Sequence, residues 1–196
     1  MTDNIDKYNK GNATVKNGAD DQKSDKTDNL ENNIEDNERK MVDVIIPTYR
    51  PAKEFGELLH RLEKQEYRPN RILVMNTGKE YWNSEWENYP LLEVHHLDQK
   101  DFDHGGTRKR AAELSTADIM VFMTQDALPA DRKMIGNLVR AVSRNSGTGA
   151  AYARQLPNAD CRFLERYTRS FNYPEQSSVK SLSDVETYGI KTYFCS

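Results

Sequence analysis

The apolar run 119–123 ends directly on Thr124-Gln125-Asp126-Ala127. A carboxylate is costly inside a sheet but well placed at its open carboxyl edge, where its oxygens can hold a hard divalent cation. Magnesium takes one or two protein carboxylates and fills its shell with phosphate oxygens and water. The plain alternative is that Asp126 only starts the turn before Pro129. A second cluster is Phe102-Asp103-His104-Gly105-Gly106-Thr107-Arg108. Its glycines allow close backbone approach, a following helix offers free N–H groups, and Arg108 brings a planar fork, so together they suit a diphosphate. The alternative is a glycine turn capped by Thr107, with His104 an ordinary turn histidine. The third cluster is Pro47-Thr48-Tyr49-Arg50. Here Thr48 can hydrogen-bond a base and Tyr49 can stack on it, unless the segment is simply a strand terminator.

The elements that must position these residues follow from periodicity. The β-branched run 42–46, stopped by Pro47, suits a strand buried on both faces. Phe55, Leu58, Leu59 and Leu62 fall at i, i+3, i+4, i+7, the stripe of an amphipathic helix ending before Pro69. Residues 71–75 form a second strand closed by the turn Asn76-Thr77-Gly78, and 91–97 a third. Gly105-Gly106 breaks the chain before a helix over 107–115, and 119–123 is the fourth strand. Asp131 is the N-cap of a helix striped by Met134, Ile135, Leu138, Val139 and Val142, and a strand over 150–153 follows Gly147-Thr148-Gly149. Strands alternating with helices imply an α/β domain with a mostly parallel, helix-covered sheet. In such sheets ligands lie beyond the carboxyl ends of the strands, where strand order reverses, and all three clusters occupy such ends.

Other conspicuous residues carry no chemistry in this reading. His95 and His96 point to opposite faces of a strand and cannot chelate one metal as neighbours, so they are structural. Trp82 and Trp86 form a helical i, i+4 pair covering the sheet edge. Cys161 and Cys195 are too few for a disulfide scaffold and form no Cys-x-x-Cys pair; they read as buried thiols.

Composition bounds the rest. Of 196 residues, 1–40 carry 10 acids, 7 bases and only eight hydrophobic side chains, which predicts a disordered, polar, acidic tail. The remainder, 41–196, balances 21 acids against 21 bases and is long enough for one domain. It lacks the basic face that nucleic-acid binding needs. No run approaches the about 20 apolar residues of a membrane span, and the first residues are too charged for a secretory signal. A cytoplasmic protein is expected.

In this order, Val42-Asp43-Val44-Ile45-Ile46-Pro47-Thr48-Tyr49, Phe102 to Arg108 and Phe122-Met123-Thr124-Gln125-Asp126-Ala127 resemble the family 2 glycosyltransferases, most closely bacterial rhamnosyltransferase-like members. Tyr152-Ala153-Arg154-Gln155-Leu156-Pro157 and Phe171-Asn172-Tyr173-Pro174 extend the likeness across most of 42–196. The resemblance implies a GT-A fold, a Rossmann-like nucleotide-binding sheet, and sugar transfer with inversion from a nucleotide-diphosphate donor. By that likeness Pro47, Thr48 and Tyr49 line the nucleoside pocket, Asn76 lies near the base, and Thr107 and Arg108 approach the diphosphate. Thr124, Gln125 and Asp126 stand in the place of the family's Asp-x-Asp and are implied contacts to the nucleotide-sugar donor, with Asp126 as the carboxylate for Mg2+ or Mn2+. The branch points to dTDP-rhamnose as donor. A saccharide or lipid-linked saccharide is the implied acceptor, used in cell-surface polysaccharide synthesis with peripheral contact at the inner face of the cell membrane.

The chain departs from the family pattern in places. Thr124 replaces the first Asp of the motif, Asn76 stands where many members carry Asp, and Lys109 where Asn is usual. Relatives continue past Phe194-Cys195-Ser196 into an acceptor-binding portion holding the general base. That base is therefore expected beyond Ser196, and 41–196 reads as a truncated donor-binding domain with no assigned catalytic residue. The spacing of Asp160, Glu165, Asp184 and Glu186 nominates none of them. One rival reading is a non-catalytic remnant that recruits a partner through its acidic arm. Another is nucleotidyl transfer, which wants a glycine- and basic-rich loop after the first strand that 47–51 supplies poorly.

Overall fold

The computed structural model describes residues 39–158 and 160–189. The expected tail, apart from residues 39 and 40, lies outside the described residues, as do Cys195 and the run after Gly189. Four parallel strands, β1 (Val42–Tyr49), β2 (Arg71–Thr77), β3 (Leu92–Leu97) and β4 (Ile119–Phe122), form a sheet of order β3-β2-β1-β4. The expected parallel α/β sheet is therefore present. Helix α1 (Glu54–Glu63) follows β1, α2 (His104–Leu114) follows β3, and α3 (Met134–Val142) follows β4.

The period of two in the strands divides the core. Val42, Val44 and Ile46 of β1 with Ile72 and Val74 of β2 meet Phe55, Leu58, Leu59 and Leu62 of α1 and Ile135 of α3 on one face. Ile45, Leu73, Met75 and Leu97 meet Ala111 of α2 on the other. With helices on both faces, β1 and β2 are buried along most of their length, which is why they read as continuous apolar runs. At the amino ends of the strands Asp43, wholly buried, receives Arg71 (2.8 Å), Ser115 (2.8 Å) and Asn70 (3.3 Å), while Arg71 also reaches Glu93 (2.7 Å).

Several expectations are corrected. Pro47 does not stop β1, which runs on to Tyr49. Helix α2 starts at His104 and takes both Gly105 and Gly106 into its first turn, because Asp103, not Thr107, caps it and accepts from the Gly106 N–H. Asp131 is not the cap of α3; it stands two residues too early, its carboxylate accepts from the Lys133 N–H at 2.8 Å, and Lys133 occupies the N-cap. No strand forms over 150–153, and β4 remains the edge of the sheet. Trp82 and Trp86 share no helix; each lies at a separate 3-10 turn, and their rings pack edge-on at 5.0 Å and against Phe55 of α1. Cys161 is half-buried rather than buried.

Beyond α3 the chain packs loosely. Helix α4 (Phe163–Asn172) has no buried residue, and Phe163 and Leu164 are 83% and 72% exposed. The short α5 (Val185–Tyr188) closes the described part. Among the described residues no helix is long and apolar enough to cross a membrane.

Candidate functional site

The chain steps from β1 to β2 to β3 in one direction and returns to the other side of β1 for β4. That reversal makes a topological switch point beyond the carboxyl ends of β1 and β4, the position where open α/β sheets bind ligands. Backbone groups of alternate residues of β1 face β4, as the Met123 N–H to Ile45 O bond (3.0 Å) shows. Two residues on, Pro47 faces the same way and has no N–H to satisfy, so a proline fits the strand where β4 has left the ladder. Two further on, Tyr49 finds a substitute for a strand. The Gln125 amide accepts from the Tyr49 N–H at 2.8 Å and donates to the Tyr49 carbonyl at 3.1 Å.

Gln125 and Asp126 occupy the centre of a turn closed by the Ala127 N–H on the Thr124 carbonyl (3.2 Å). Gln125 turns back to β1, and the exposed Asp126 carboxylate makes no hydrogen bond or ion pair among the described residues. Its oxygens are thus available to a cation. Among the described residues no group of three His, Cys, Asp or Glu side chains is arranged to hold a metal. The donor set therefore fits a hard cation only if a ligand supplies most of the oxygens, as a diphosphate does.

Arg50 leaves β1 with φ 47, a left-handed backbone rare outside glycine. Its guanidinium lies 4.3 Å from the Tyr81 ring and 5.1 Å from the Tyr49 ring, and donates to the Tyr81 hydroxyl at 2.8 Å. The loop after β2 is thereby tied to the end of β1. Sequence reading missed Tyr81 altogether; its only signal is its place three residues past Gly78, the second strand-end residue with positive φ.

Thr48, Asn76 and His96 share one register line across β1, β2 and β3. Thr48 donates to Asn76 Oδ1 at 2.9 Å, and Asn76 Nδ2 lies 3.0 Å from His96 Nδ1. An amide nitrogen only donates, so Nδ1 accepts and the ring proton sits on Nε2. Burial, reinforced by the charge of Lys79, lowers the His96 pKa, consistent with that neutral ring. Thr48 and Asn76 are 2% and 0% exposed. The structure thus engages their buried side chains with each other, while Tyr49 is exposed at the end of β1.

At the amino end of α2 Thr107 is buried and its hydroxyl accepts from the Asp103 N–H at 3.4 Å. The Arg108 guanidinium donates to the His104 carbonyl at 2.9 Å. This helix end therefore presents a guanidinium beside the Asp103 cap. The Asp103 carboxylate already holds one of its N–H groups.

Comparison with known proteins identifies the family. Residues 43–196 match Glycosyl transferase family 2. The chain is 38% identical over 162 residues to the O-antigen chain rhamnosyltransferase RfbN of Salmonella typhimurium, covering 79% of this chain and 50% of that protein. It is 28% identical over 155 residues to the O-antigen chain rhamnosyltransferase WbaN of Salmonella anatum, covering 78% and 49%. The chain spans about half the length of these curated relatives. The solved structure of S. aureus TarS 1-349 aligns with TM-score 0.45 at 21% identity, over 53% of this chain and 32% of that one. The helix-covered parallel sheet is the Rossmann-like GT-A arrangement, and the chain belongs to glycosyl transferase family 2.

Proposed function

We propose that the switch point between β1 and β4 binds the nucleotide diphosphate of a sugar donor. In this reading one Mg2+ or Mn2+ is shared between the donor phosphates and Asp126. The whole protein would transfer the sugar to a saccharide or lipid-linked saccharide in cell-surface polysaccharide synthesis, at the inner face of the membrane. The observation that carries this reading is an unengaged, exposed carboxylate at the switch point of the sheet, with the Arg50 guanidinium at the end of β1. Two relatives are named O-antigen chain rhamnosyltransferases, which favours dTDP-rhamnose as donor.

Each group has a task in the chain's own chemistry. Tyr49 offers an exposed ring for the base, and Pro47 shapes the backbone beneath it. Thr48 and Asn76 brace the floor of the nucleoside pocket through their mutual bond, while Thr107 fixes the first turn of α2 so that Arg108 can face the diphosphate. Thr124 opens the turn that carries Gln125 and Asp126. When bound, the cation would offset the charge that collects on the diphosphate leaving group. Inverting transfer also needs a general base within hydrogen-bond reach of the acceptor hydroxyl. Of the acids after α3, Glu165 is held by Arg169 (3.1 Å) and Asp184 by Ser181 (2.7 Å), and neither is given that role.

Calorimetric titration with dTDP, UDP and GDP, each with Mn2+ or with EDTA, tests the reading. Binding of at least one nucleotide, weak in EDTA, strengthened by Mn2+ and tightest for dTDP, is expected. Mn2+ alone should give no saturable heat, because the protein supplies a single carboxylate. Failure of a folded sample to bind any of the three would remove the proposal.

A further inference from the structure

Sequence reading placed Gln125 with Thr124 and Asp126 as a contact to the donor. The geometry points to a different task, and we infer that Gln125 is a positioning residue for the Asp126 cation site, an inference that rests on the donor reading above. Both ends of its amide are engaged on the backbone of one residue, Tyr49, at 2.8 and 3.1 Å across 76 positions of sequence. A planar amide carries a donor and an acceptor side by side, as a backbone peptide does, so Gln125 extends the β1 to β4 ladder with a side chain.

No other group holds the turn to β1 among the described residues. The last backbone bond of the ladder is Met123 N–H to Ile45 O, and Pro47, next in line, has no N–H. Beyond that point the 124–127 turn is closed only on itself, through Ala127 and Thr124. Gln125 and Asp126 are its two central residues, so holding the Gln125 side chain to Tyr49 holds the turn backbone from which the Asp126 carboxylate projects. Gln125 thus sets where the Asp126 carboxylate stands relative to Tyr49 and Arg50. Partners that orient metal ligands without touching the metal change cation affinity about 10- to 100-fold when removed.

The test uses the full chain and the variants Gln125→Ala and Gln125→Met, the second keeping the side-chain length without an amide. Two affinities are measured by calorimetry for each protein: dTDP and UDP in EDTA, and Mn2+ at saturating nucleotide. Exchange of the Tyr49 amide proton is followed by NMR. Both variants should melt within a few degrees of wild type and bind nucleotide in EDTA within about twofold of wild type. Both should lose about 10-fold in Mn2+ affinity, with faster Tyr49 amide exchange. An equal loss of metal-free nucleotide affinity would make Gln125 a donor contact and overturn the inference. Unchanged Mn2+ affinity despite faster exchange would also overturn it, as would loss of folding in both variants, which would make the amide purely structural. Absence of Mn2+-dependent binding in wild type would remove the donor reading and this inference together, whereas binding in wild type and variants alike removes this inference alone.

Discussion

Arg50 holds a backbone conformation that costs a non-glycine residue of order 1–3 kcal/mol, at the strand end beside the candidate cation site. Strain of this kind persists where surrounding contacts enforce it, and here Tyr81 and Tyr49 do so. Arg50→Gly should therefore be more stable than Arg50→Ala by about 1 kcal/mol in chemical denaturation, since only glycine accepts this φ without strain. Both variants lose the guanidinium and should weaken nucleotide binding alike. Thr48→Val would leave Asn76 Oδ1 buried without its donor and should cost about 1–3 kcal/mol of stability. The sequence showed polar residues at two strand ends, which pointed to ligand contacts. It did not show that β1 and β2 pair Thr48 directly with Asn76, so the bond between their side chains emerged only with the register. The exposed place of Asp126 was legible because a carboxylate soon after an apolar strand falls at the open edge of the sheet, where a charge stays solvated.

At the scale of elements, the strands and the α1 stripe were legible because periods of 2 and 3.6 record which face is buried. Misreadings arose where a single tertiary or capping contact outweighed local propensity. Two glycines in a first turn cost about 1 kcal/mol each relative to alanine, yet α2 contains them because Asp103 caps it. A Cβ at residue 106 would stand 2.9 Å from Asp103 Oδ2. Asp103→Ala should lower stability by about 1 kcal/mol in denaturant titration. Gly106→Ala should displace that carboxylate, so the lost cap offsets the about 1 kcal/mol that alanine gains over glycine in a helix and leaves stability near wild type. Local propensity alone would make the alanine more stable, so the absence of that gain tests the cap. Pro47 was misread for the converse reason: its missing N–H matters only where a partner strand waits, and β4 has ended there.

At the scale of the whole molecule, the buried charge lies at the amino end of the sheet. The amino end is locked by Asp43, Arg71 and Glu93. Burial pushes the Asp43 carboxyl up, but hydrogen bonds from Arg71, Ser115 and Asn70 together outweigh it and hold the group below its ordinary value of 3.8. A carboxylate with a lowered folded pKa stabilises the fold fully above its unfolded pKa and loses that contribution as pH falls through the folded value. The fold should thus lose stability below about pH 4. Asp43→Ala should cost about 3 kcal/mol at neutral pH, because Arg71 loses its buried partner, and should flatten the acid limb of a pH series of denaturation curves. At the far end of the chain, Leu164→Ser on exposed α4 should change stability by no more than about 0.5 kcal/mol.

The central claim is a cation site built from one protein carboxylate and the donor's phosphates at the β1 and β4 switch point. Its most direct test is Mn2+ titration of the nucleotide-saturated protein, wild type against Asp126→Asn, by calorimetry. The account expects at least a tenfold loss of Mn2+ affinity, about 1.4 kcal/mol, with nucleotide binding in EDTA unchanged. Equal Mn2+ affinity in the two proteins would contradict it.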